Sequence, residues 1–276
     1  MRALIDGDLI LYRAAHAVQS RMYIVYNERG EPFACSPRKK DLPPIRFNER
    51  IRYTTMVDED GYDEACGIIC SMLDKIKRRT GSSRATIYLS GEDNFRHRIY
   101  PEYKAGRPPK PLLYSALKRY MLTLNCTVLV HGQEADDALG IAQTTAVMGD
   151  FTGKPLWKES VYPTTICSYD KDLRMIPGRH YDFKKDILFT VTEEEGMLAF
   201  YKQLLTGDST DNIPGLEGVG PKTAAKILEG IDDEKGMYLK VVSTYEGREV
   251  PFEDITRNAR LLWIRRQEEE LWTPPC

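Results

Sequence analysis

The sequence has no CxxC pair, no cluster of histidines and no apolar run long enough to cross a bilayer. Its six cysteines sit mostly in apolar runs, and its four histidines are scattered: Cys35, Cys66, Cys70, Cys126, Cys167, Cys276, His16, His97, His131 and His180. A disulfide framework and a zinc site are therefore disfavoured, and reduced, buried thiols are expected. The apolar residues start at Leu4, directly after Met1-Arg2-Ala3, which leaves no room for a signal peptide. We expect a cytoplasmic protein without a membrane partner.

A large excess of one charge is also lacking, because the formal net charge is −2. Setting aside the eight carboxylates discussed below leaves the remaining residues net basic. That distribution fits a cationic surface around an acidic pit, although net charge alone identifies no partner. The chain has 276 residues, 42% of them hydrophobic, which suits one large domain or two small ones.

Short apolar segments that predict buried strands alternate with helical patterns along the first two thirds of the chain. The strands are expected at 2–6, 85–89, 127–130, 164–168 and 186–192, and the helices at 62–79, 112–124 and from about 134. A hairpin is expected at 22–34, and exposed loops at 36–48 and 149–162. This rhythm predicts an α/β fold with a central, mostly parallel sheet flanked by helices. Beyond residue 193 the pattern becomes helical, at 193–206, 236–245 and 253–267.

Carboxylates follow the predicted strands at the edge where parallel α/β sheets form their sites. One acid at a helix start is explained by capping or by the helix dipole, but three in a row repel each other unless a cation lies among them. Two hard divalent ions about 4 Å apart, Mg²⁺ or Mn²⁺, would suit such a set. The proposed cluster consists of Asp6, Glu134, Asp136, Asp137, Asp170, Asp172, Asp208 and Asp211.

The segment 207–228 joins two of these acids to a glycine-rich turn and a helix start. Its backbone N–H groups and Lys222 would face an anion, such as a phosphate backbone. Taken alone, it is equally well explained as a loop between helices in which Asp208 and Asp211 are caps.

Residues 95–110 interleave cations with aromatic residues and show no helical or strand period. Basic side chains can neutralise phosphates while tyrosines stack on unpaired bases, as in proteins that bind single strands. The alternative is an ordinary basic loop.

Six motifs appear in a fixed order from residue 4 to about residue 230. They are Leu4-Ile5-Asp6-Gly7-Asp8, Phe95-Arg96 with Tyr103-Lys104-Ala105-Gly106-Arg107, Glu134-Ala135-Asp136-Asp137, Asp170-Lys171-Asp172, Gly207-Asp208-Ser209-Thr210-Asp211-Asn212 and Gly218-Val219-Gly220-Pro221. Each is weak alone, but the ordered set resembles the flap-endonuclease-type 5′ nuclease superfamily, and most of all the 5′→3′ exonucleases of tailed phages. The final Leu271-Trp272-Thr273-Pro274 resembles the tail of the phage members.

This resemblance implies a PIN-like nuclease domain at 1–192, with an arch or gateway near 94–120. It also implies a helical DNA-binding part at 193–276, with a helix-three-turn-helix near 207–230. Asp6, Glu134, Asp136 and Asp170 match ligands of a first metal, and Asp172, Asp208 and Asp211 match those of a second, with Asp137 alongside. Lys104 and Arg107 match catalytic contacts to the scissile region. The implied DNA-binding residues are Arg13, Arg96, Tyr103, Lys104, Arg107, Gly218, Gly220, Lys222 and Thr223, with K⁺ at the helix-three-turn-helix.

The implied activity is metal-dependent 5′→3′ exonuclease and flap-type endonuclease cleavage of DNA, with RNA removal from hybrids as an extension. The protein is expected to be a monomer that binds duplex DNA with a 5′ end, nick or flap. Replication proteins are a second class of implied partner. One departure is Gly91, where related phage enzymes have an aspartate, and Glu92 or Asp93 is the available substitute. Gly91 favours the alternative of a weakened, DNA-structure-binding relative. A compact RNA-cleaving nuclease would explain the acids but not the glycine-rich turn.

Overall fold

The structure is a computed structural model that describes residues 1–148 and 163–275. The strands are β1 (Arg2–Asp6), β2 (Gln19–Tyr26), β3 (Pro32–Ser36), β4 (Arg50–Val57), β5 (Arg84–Ser90), β6 (Thr127–Val130), β7 (Thr164–Cys167), β8 (Gly178–Asp182), β9 (Ile187–Val191), β10 (Gly207–Asp208) and β11 (Ile213–Pro214). The helices are α1 (Gly7–Ala17), α2 (Gly61–Thr80), α3 (Phe95–Ile99), α4 (Tyr114–Leu122), α5 (Ala135–Met148), α6 (Glu193–Thr206), α7 (Pro221–Ile227), α8 (Glu234–Glu246) and α9 (Phe252–Leu262). None of the helices in these ranges is long and apolar enough to cross a membrane.

Two compact units make up the chain, one of residues 1–9, 75–108 and 125–276 and the other of residues 10–74 and 109–124. The first unit contains residues on both sides of position 192. The division into a nuclease domain at 1–192 and a DNA-binding part at 193–276 therefore stays a proposal about function.

The first unit contains a six-stranded sheet with the order β6-β5-β1-β7-β8-β9. All neighbouring strands are parallel except β9, which runs antiparallel to β8. The inner strands are short apolar runs because both of their faces are covered, and Ala3, Leu4 and Ile5 of β1 are buried. The predicted fold class, a mostly parallel sheet flanked by helices, is confirmed.

Helix α6 connects this sheet to the C-terminal helices. It begins in a capping box, in which the Thr192 hydroxyl accepts from the Glu195 N–H and the Glu195 carboxylate accepts from the Thr192 N–H. Its buried residues Phe200, Tyr201 and Leu204 belong to the same core as residues of α8 and α9. It ends at Gly207, where φ is +68° and a Cβ would lie 2.3 Å from the Gly215 nitrogen. Only glycine fits this crossing, which fixes how the chain leaves α6 beside Asp208.

The second unit combines parts of α1 and α2 with α4 and a three-stranded antiparallel sheet in the order β3-β2-β4. The Tyr12 and Tyr114 rings lie 5.0 Å apart, and the Leu112 N–H donates to the Gln19 side chain over 2.6 Å. The hairpin of β2 and β3 was expected from the sequence. Strand β4 was not expected, because apolar and polar residues do not alternate throughout 50–57.

Three other expectations need comment. Residues 95–110 were expected to be irregular, but 95–99 form α3, capped by the Asn94 side chain on the Arg96 N–H. Among the described cysteines Cys167 is buried as expected, whereas Cys35 and Cys70 are exposed, and all five of them are free. The expected loop at 149–162 and Cys276 lie outside the described residues.

His180 on β8 should make the protein sensitive to acid. Its ring is buried, stacks on Phe189 at 5.3 Å, and lies 2.8 Å through Nε2 from the Ile176 carbonyl oxygen. Burial lowers its pKa to about 4, with a further contribution from Arg174. The unfolded chain takes up this proton first as the pH falls below about 6.5, so up to about 3 kcal/mol of folding free energy is lost by pH 4.

Replacing His180 with glutamine should remove this contribution, so the difference in unfolding free energy between wild type and variant should change by up to about 3 kcal/mol between pH 6.5 and 4, measured by chemical denaturation at several pH values. The matched control is His16→Gln at an exposed site, which should keep the wild-type slope. Equal slopes for the wild type and His180→Gln would contradict this assignment.

Candidate active site

The acidic residues of the first unit gather where β1 and β7 end. Asp6 closes β1, and Asp170 and Asp172 follow β7, the parallel neighbour of β1. Asp136 lies in the first turn of α5, which packs against both strands. The sheet order therefore brings together side chains that are more than a hundred residues apart, as the sequence analysis expected.

Ser168 links two of these acids. Its hydroxyl donates to Asp6 Oδ2 over 2.8 Å and accepts from the Asp170 N–H over 3.0 Å. The second Asp6 oxygen accepts from the Leu9 N–H over 3.1 Å. Ser168 was not among the predicted site residues, and its position directly after a buried strand was the available signal.

A second group surrounds Asp208, which is buried. Its Oδ2 accepts from Lys171 Nζ over 3.2 Å and lies 3.3 Å from Gln203 Nε2, which also donates to Asp172 Oδ1 over 2.8 Å. Its Oδ1 accepts from the Thr210 N–H over 2.8 Å. Lys171 and Gln203 were missed by the sequence analysis, and nothing in the local sequence around Gln203 marks it.

Glu134 and Asp211 share a third group of contacts with residues of the 95–110 segment. The Tyr103 hydroxyl lies 3.2 Å from Glu134 Oε2 and 3.0 Å from Asp211 Oδ2. Lys104, whose φ is +61°, pairs through Nζ with Glu134 and lies 3.7 Å from Asp211. Arg107 pairs with Asp211 Oδ1. The Asn94 amide donates to Glu134 Oε1 over 2.8 Å.

Arg96 and Asp137 form a separate, buried pair. The guanidinium binds the carboxylate through both nitrogens, with NH1 at 2.6 Å and NH2 at 2.9 Å, and Asp137 is 0% exposed. Asp137 also accepts from the N–H groups of Arg265 and Glu134, over 3.1 Å and 3.0 Å. Arg96 donates further to the carbonyl oxygens of Leu261 and Trp263, each at 2.8 Å. Both Asp137 oxygens are thus occupied.

The pKa values divide the acids into two sets. Burial and the neighbouring Asp8 and Asp170 raise the pKa of Asp6 to about 7, and burial with Asp170 raises that of Asp172 to about 7. Burial and Asp6 also raise the pKa of Asp136 well above its usual value. Burial is also the largest single influence on the pKa values of Glu134 and Asp208, but other contacts together outweigh it and lower both values. These contacts are Lys104 with Arg96 for Glu134, and Lys171 with the Thr210 and Asp211 N–H groups for Asp208.

The donor set suits a hard divalent cation, because every donor is a carboxylate oxygen and the set carries more negative charge than its lysines and arginines balance. A cavity of about 30 Å³ is lined in part by Glu134, Asp136, Asp172, Asp208 and Asp211. Within residues 1–148 and 163–275, however, no three acidic, histidine or cysteine side chains already surround one point as metal ligands. Lys104, Lys171 and Arg107 pair with four of the acids, Glu134, Asp172, Asp208 and Asp211.

The segment after Asp211 presents exposed cationic and polar side chains. Gly218 has a φ of +73°, Gly220 precedes α7, and Pro221 occupies its first turn. Lys222 and Thr223 follow in that turn and are exposed. Arg13 lies on α1 in the second unit and is also exposed.

The sequence is similar to DNA polymerase I proteins and to flap endonucleases. DNA polymerase I of Rhizobium leguminosarum is 34% identical over 250 residues, which is 83% of this chain and 20% of that protein. Flap endonuclease Xni of Shewanella putrefaciens is 27% identical over 195 residues, 64% of this chain and 69% of that protein. The chain is thus similar to flap-endonuclease-type 5′ nucleases and to the DNA polymerase I proteins. It spans 20 to 25% of the length of the DNA polymerase I relatives it matches.

Solved structures share the 5′ nuclease fold. The bacteriophage T5 flap endonuclease, solved with DNA and metal ions, superposes with a TM-score of 0.56 at 15% identity and covers 95% of this chain and 88% of its own. The T5 5′-exonuclease with bound zinc superposes with a TM-score of 0.55 at 16% identity, covering 95% and 89%. No family model matches the sequence.

Three assignments taken from the superfamily motifs change with the geometry. Arg96 and Asp137 pair with each other in the interior, so Arg96 cannot contact a DNA strand and Asp137 has no oxygen left for a metal. Tyr103 is buried with its hydroxyl on two carboxylates, so its ring is not available to stack on a base. Burial of these side chains was not readable from a segment without periodicity.

Gly91, the departure from the 5′ nuclease pattern, has a steric explanation. Its N–H donates to the Val130 carbonyl oxygen over 2.7 Å, and a Cβ at this position would lie 2.4 Å from that oxygen. β5 and β6 approach too closely here for any side chain. Glu92 and Asp93 are exposed, and Asp93 accepts from the Gly132 N–H over 2.7 Å.

Proposed function

We propose that the chain is a divalent-cation-dependent 5′ nuclease that removes nucleotides from 5′ ends and cuts 5′ flaps of DNA. The observation that carries the proposal is the convergence of seven carboxylates beside Lys104 and Arg107 in one unit. The relatives' names, which include flap endonuclease and 5′-exonuclease, support it. Mg²⁺ or Mn²⁺ is the proposed cofactor, since all the donors are oxygens. The proposed site of action is the cytoplasm, and the proposed form a monomer.

The cation ligands in this proposal are Asp6, Glu134, Asp136, Asp170, Asp172, Asp208 and Asp211. Bound divalent cations would supply an activated water and stabilise the leaving oxygen of the phosphodiester. Ser168 and Gln203 hold four of these acids in place by direct hydrogen bonds to side chains or backbone. Their role is to fix the donor oxygens before substrate arrives.

Lys104 and Arg107 have a second role once the acids bind cations. Their cationic groups are then free to pair with the phosphate at the cleavage position, since both already lie at the acidic cluster. The positive φ of Lys104 and the bond from its N–H to the Asp211 carbonyl oxygen, 2.9 Å long, set where this side chain points. Substrate and cations thus bind in a coupled way.

One experiment tests this function. A 5′-labelled DNA flap on a duplex is incubated with Mg²⁺, and separately with chelator, and the products are mapped. Cleavage near the junction with Mg²⁺ alone supports the proposal. Absence of products with Mg²⁺ and with Mn²⁺ contradicts it, and preferential cutting of an RNA strand would identify a different nuclease.

The segment 207–230 is proposed to hold the duplex phosphate backbone as a helix-three-turn-helix with a bound K⁺, through Gly218, Gly220, Lys222 and Thr223. Lys222→Ala should weaken duplex binding about equally for all sequences and lower the slope of log affinity against log salt by about 1. The measurement is a titration of labelled duplex at several salt concentrations with chelator present.

The matched control for Lys222→Ala is Lys235→Ala, which removes an exposed lysine at the start of α8. Its affinity and salt slope should equal those of the wild type. The same loss in both variants would mean that Lys222 contributes only to the general charge.

A further inference from the structure

The three-stranded sheet of the second unit has no role in the function proposed above. We name it the arginine–aromatic sheet and define it as β2, β3 and β4 with their connections, residues 19–57. β2 lies in the centre, and its register with β4 pairs Arg21 with Thr55, Tyr23 with Tyr53 and Ile24 with Arg52. Residues alternate between two faces of this sheet, and both faces reach solvent.

The charged residues on the three strands have one sign. The three strands contain Arg21, Arg50 and Arg52, all exposed, and no aspartate or glutamate. The four acids of the connections each accept a hydrogen bond from a neighbouring residue: Glu28 from Asn48, Glu31 from Asn27, Asp41 from Arg38 and Glu49 from the Arg46 N–H. In a chain with a formal charge of −2, this is a local cationic surface that complements a polyanion.

Aromatic side chains interleave with these arginines and are exposed. Tyr53 is 60% exposed, Phe33 is 49% exposed, and Phe47 is fully exposed. The Arg21 guanidinium lies 5.0 Å from the centre of the Tyr53 ring. The centres of the Tyr23 and Tyr53 rings lie 6.2 Å apart. Arg52 lies 5.8 Å from the centre of the Tyr26 ring. Exposed rings beside arginines offer flat faces for bases next to cations for phosphates.

The register places Arg21, Tyr23 and Tyr53 on one face of the sheet and Tyr26 and Arg52 on the other. We propose that the face with Arg21, Tyr23 and Tyr53 binds single-stranded nucleic acid, with Tyr53 stacking on a base and Arg21 pairing with a phosphate. A duplex would use the arginines but would leave the aromatic faces without partners, because its base faces are covered. An acidic protein would likewise use only the charge. The proposal does not rest on catalysis, since binding requires no cleavage.

The test is fluorescence anisotropy of labelled oligothymidine, with chelator present so that no cleavage occurs. Tyr53→Ala should weaken binding about tenfold through the lost stacking. Arg21→Gln should weaken it less and lower the salt slope by about 0.7, the value for one phosphate contact on a single strand. Arg52→Gln, on the opposite face of the same sheet, should bind like the wild type.

Matched controls are Phe252→Ala and Arg78→Gln, which alter exposed residues on α9 and at the end of α2 and should bind like the wild type. A blunt hairpin duplex is the second probe, and Tyr53→Ala should bind it with unchanged affinity. Oligothymidine affinity unchanged in Tyr53→Ala and in Arg21→Gln overturns the proposal, and so does an equal loss for both probes. If the wild type did not cleave a 5′ flap in Mg²⁺, this would contradict only the proposed nuclease activity and not nucleic-acid binding by the sheet.

Discussion

Asp170→Asn should reduce cleavage of a 5′ flap by about a thousandfold or more, which corresponds to about 4 kcal/mol in the activation free energy. Asp170 lies among acids whose pKa it raises, Asp6, Asp136 and Asp172. The amide replaces a charged donor of the same size with a neutral one, so the site attracts a divalent cation less strongly. The measurement is the single-turnover rate at saturating Mg²⁺.

Binding should separate this loss of rate from misfolding. Asp170→Asn should bind duplex in chelator as well as the wild type, because the proposed duplex contacts lie at 218–223. The matched control is Asp232→Asn, an exposed aspartate before α8, which should cut at the wild-type rate. Cleavage by Asp170→Asn at the wild-type rate in Mg²⁺ would remove Asp170 from the proposed cation ligands.

Arg96→Met should lower the free energy of unfolding by about 3 to 5 kcal/mol, because it leaves the Asp137 carboxylate buried without its partner. The two nitrogen contacts of 2.6 and 2.9 Å and the 0% exposure of Asp137 make this a fully buried pair. Chemical denaturation at pH 7 measures the loss. The double variant Arg96→Met, Asp137→Leu should recover only part of it, since it removes the buried charge but leaves the backbone groups that bound the pair without partners.

An exposed ion pair in the same chain provides the control. Arg38 and Asp41 lie 2.6 Å apart with side chains 68% and 38% exposed. Arg38→Met should cost less than about 1 kcal/mol, as is usual for a surface pair. If Arg96→Met destabilised the protein no more than Arg38→Met, the buried pair would have no special importance for folding.

The sequence predicted the sheet and the acids better than it predicted their partners. Buried strands such as β1 and β7 are short apolar runs, and the parallel arrangement places whatever follows them at one edge. Asp6, Asp170 and Asp172 could therefore be grouped before any coordinates were known. Gln203 could not, because it reaches Asp172 and Asp208 from the last turn of α6, a helix whose apolar residues pack in the core.

The 95–110 segment shows why composition alone misassigns residues. Arginines and tyrosines interleaved in one segment were interpreted as contacts to a nucleic-acid strand. Arg96 and Tyr103 instead face inward and contact buried carboxylates. Such a side chain turns inward only if a buried carboxylate lies nearby to pair with it. Asp137 and Glu134 lie more than thirty residues away along the chain, so the local sequence does not reveal this pairing. Lys104 and Arg107, from the same segment, pair with Glu134 and Asp211 of the acidic cluster, and their contact with the scissile region stays a prediction.

The contacts of Arg96 also bear on the order in which the protein forms during synthesis. Arg96 binds the carbonyl oxygens of Leu261 and Trp263, and Asp137 binds the Arg265 N–H. Until residues 261–265 have left the ribosome, Arg96 and Asp137 lack half of the groups that satisfy them. The buried Arg96–Asp137 pair can therefore complete its hydrogen bonds only after residue 265 has been made.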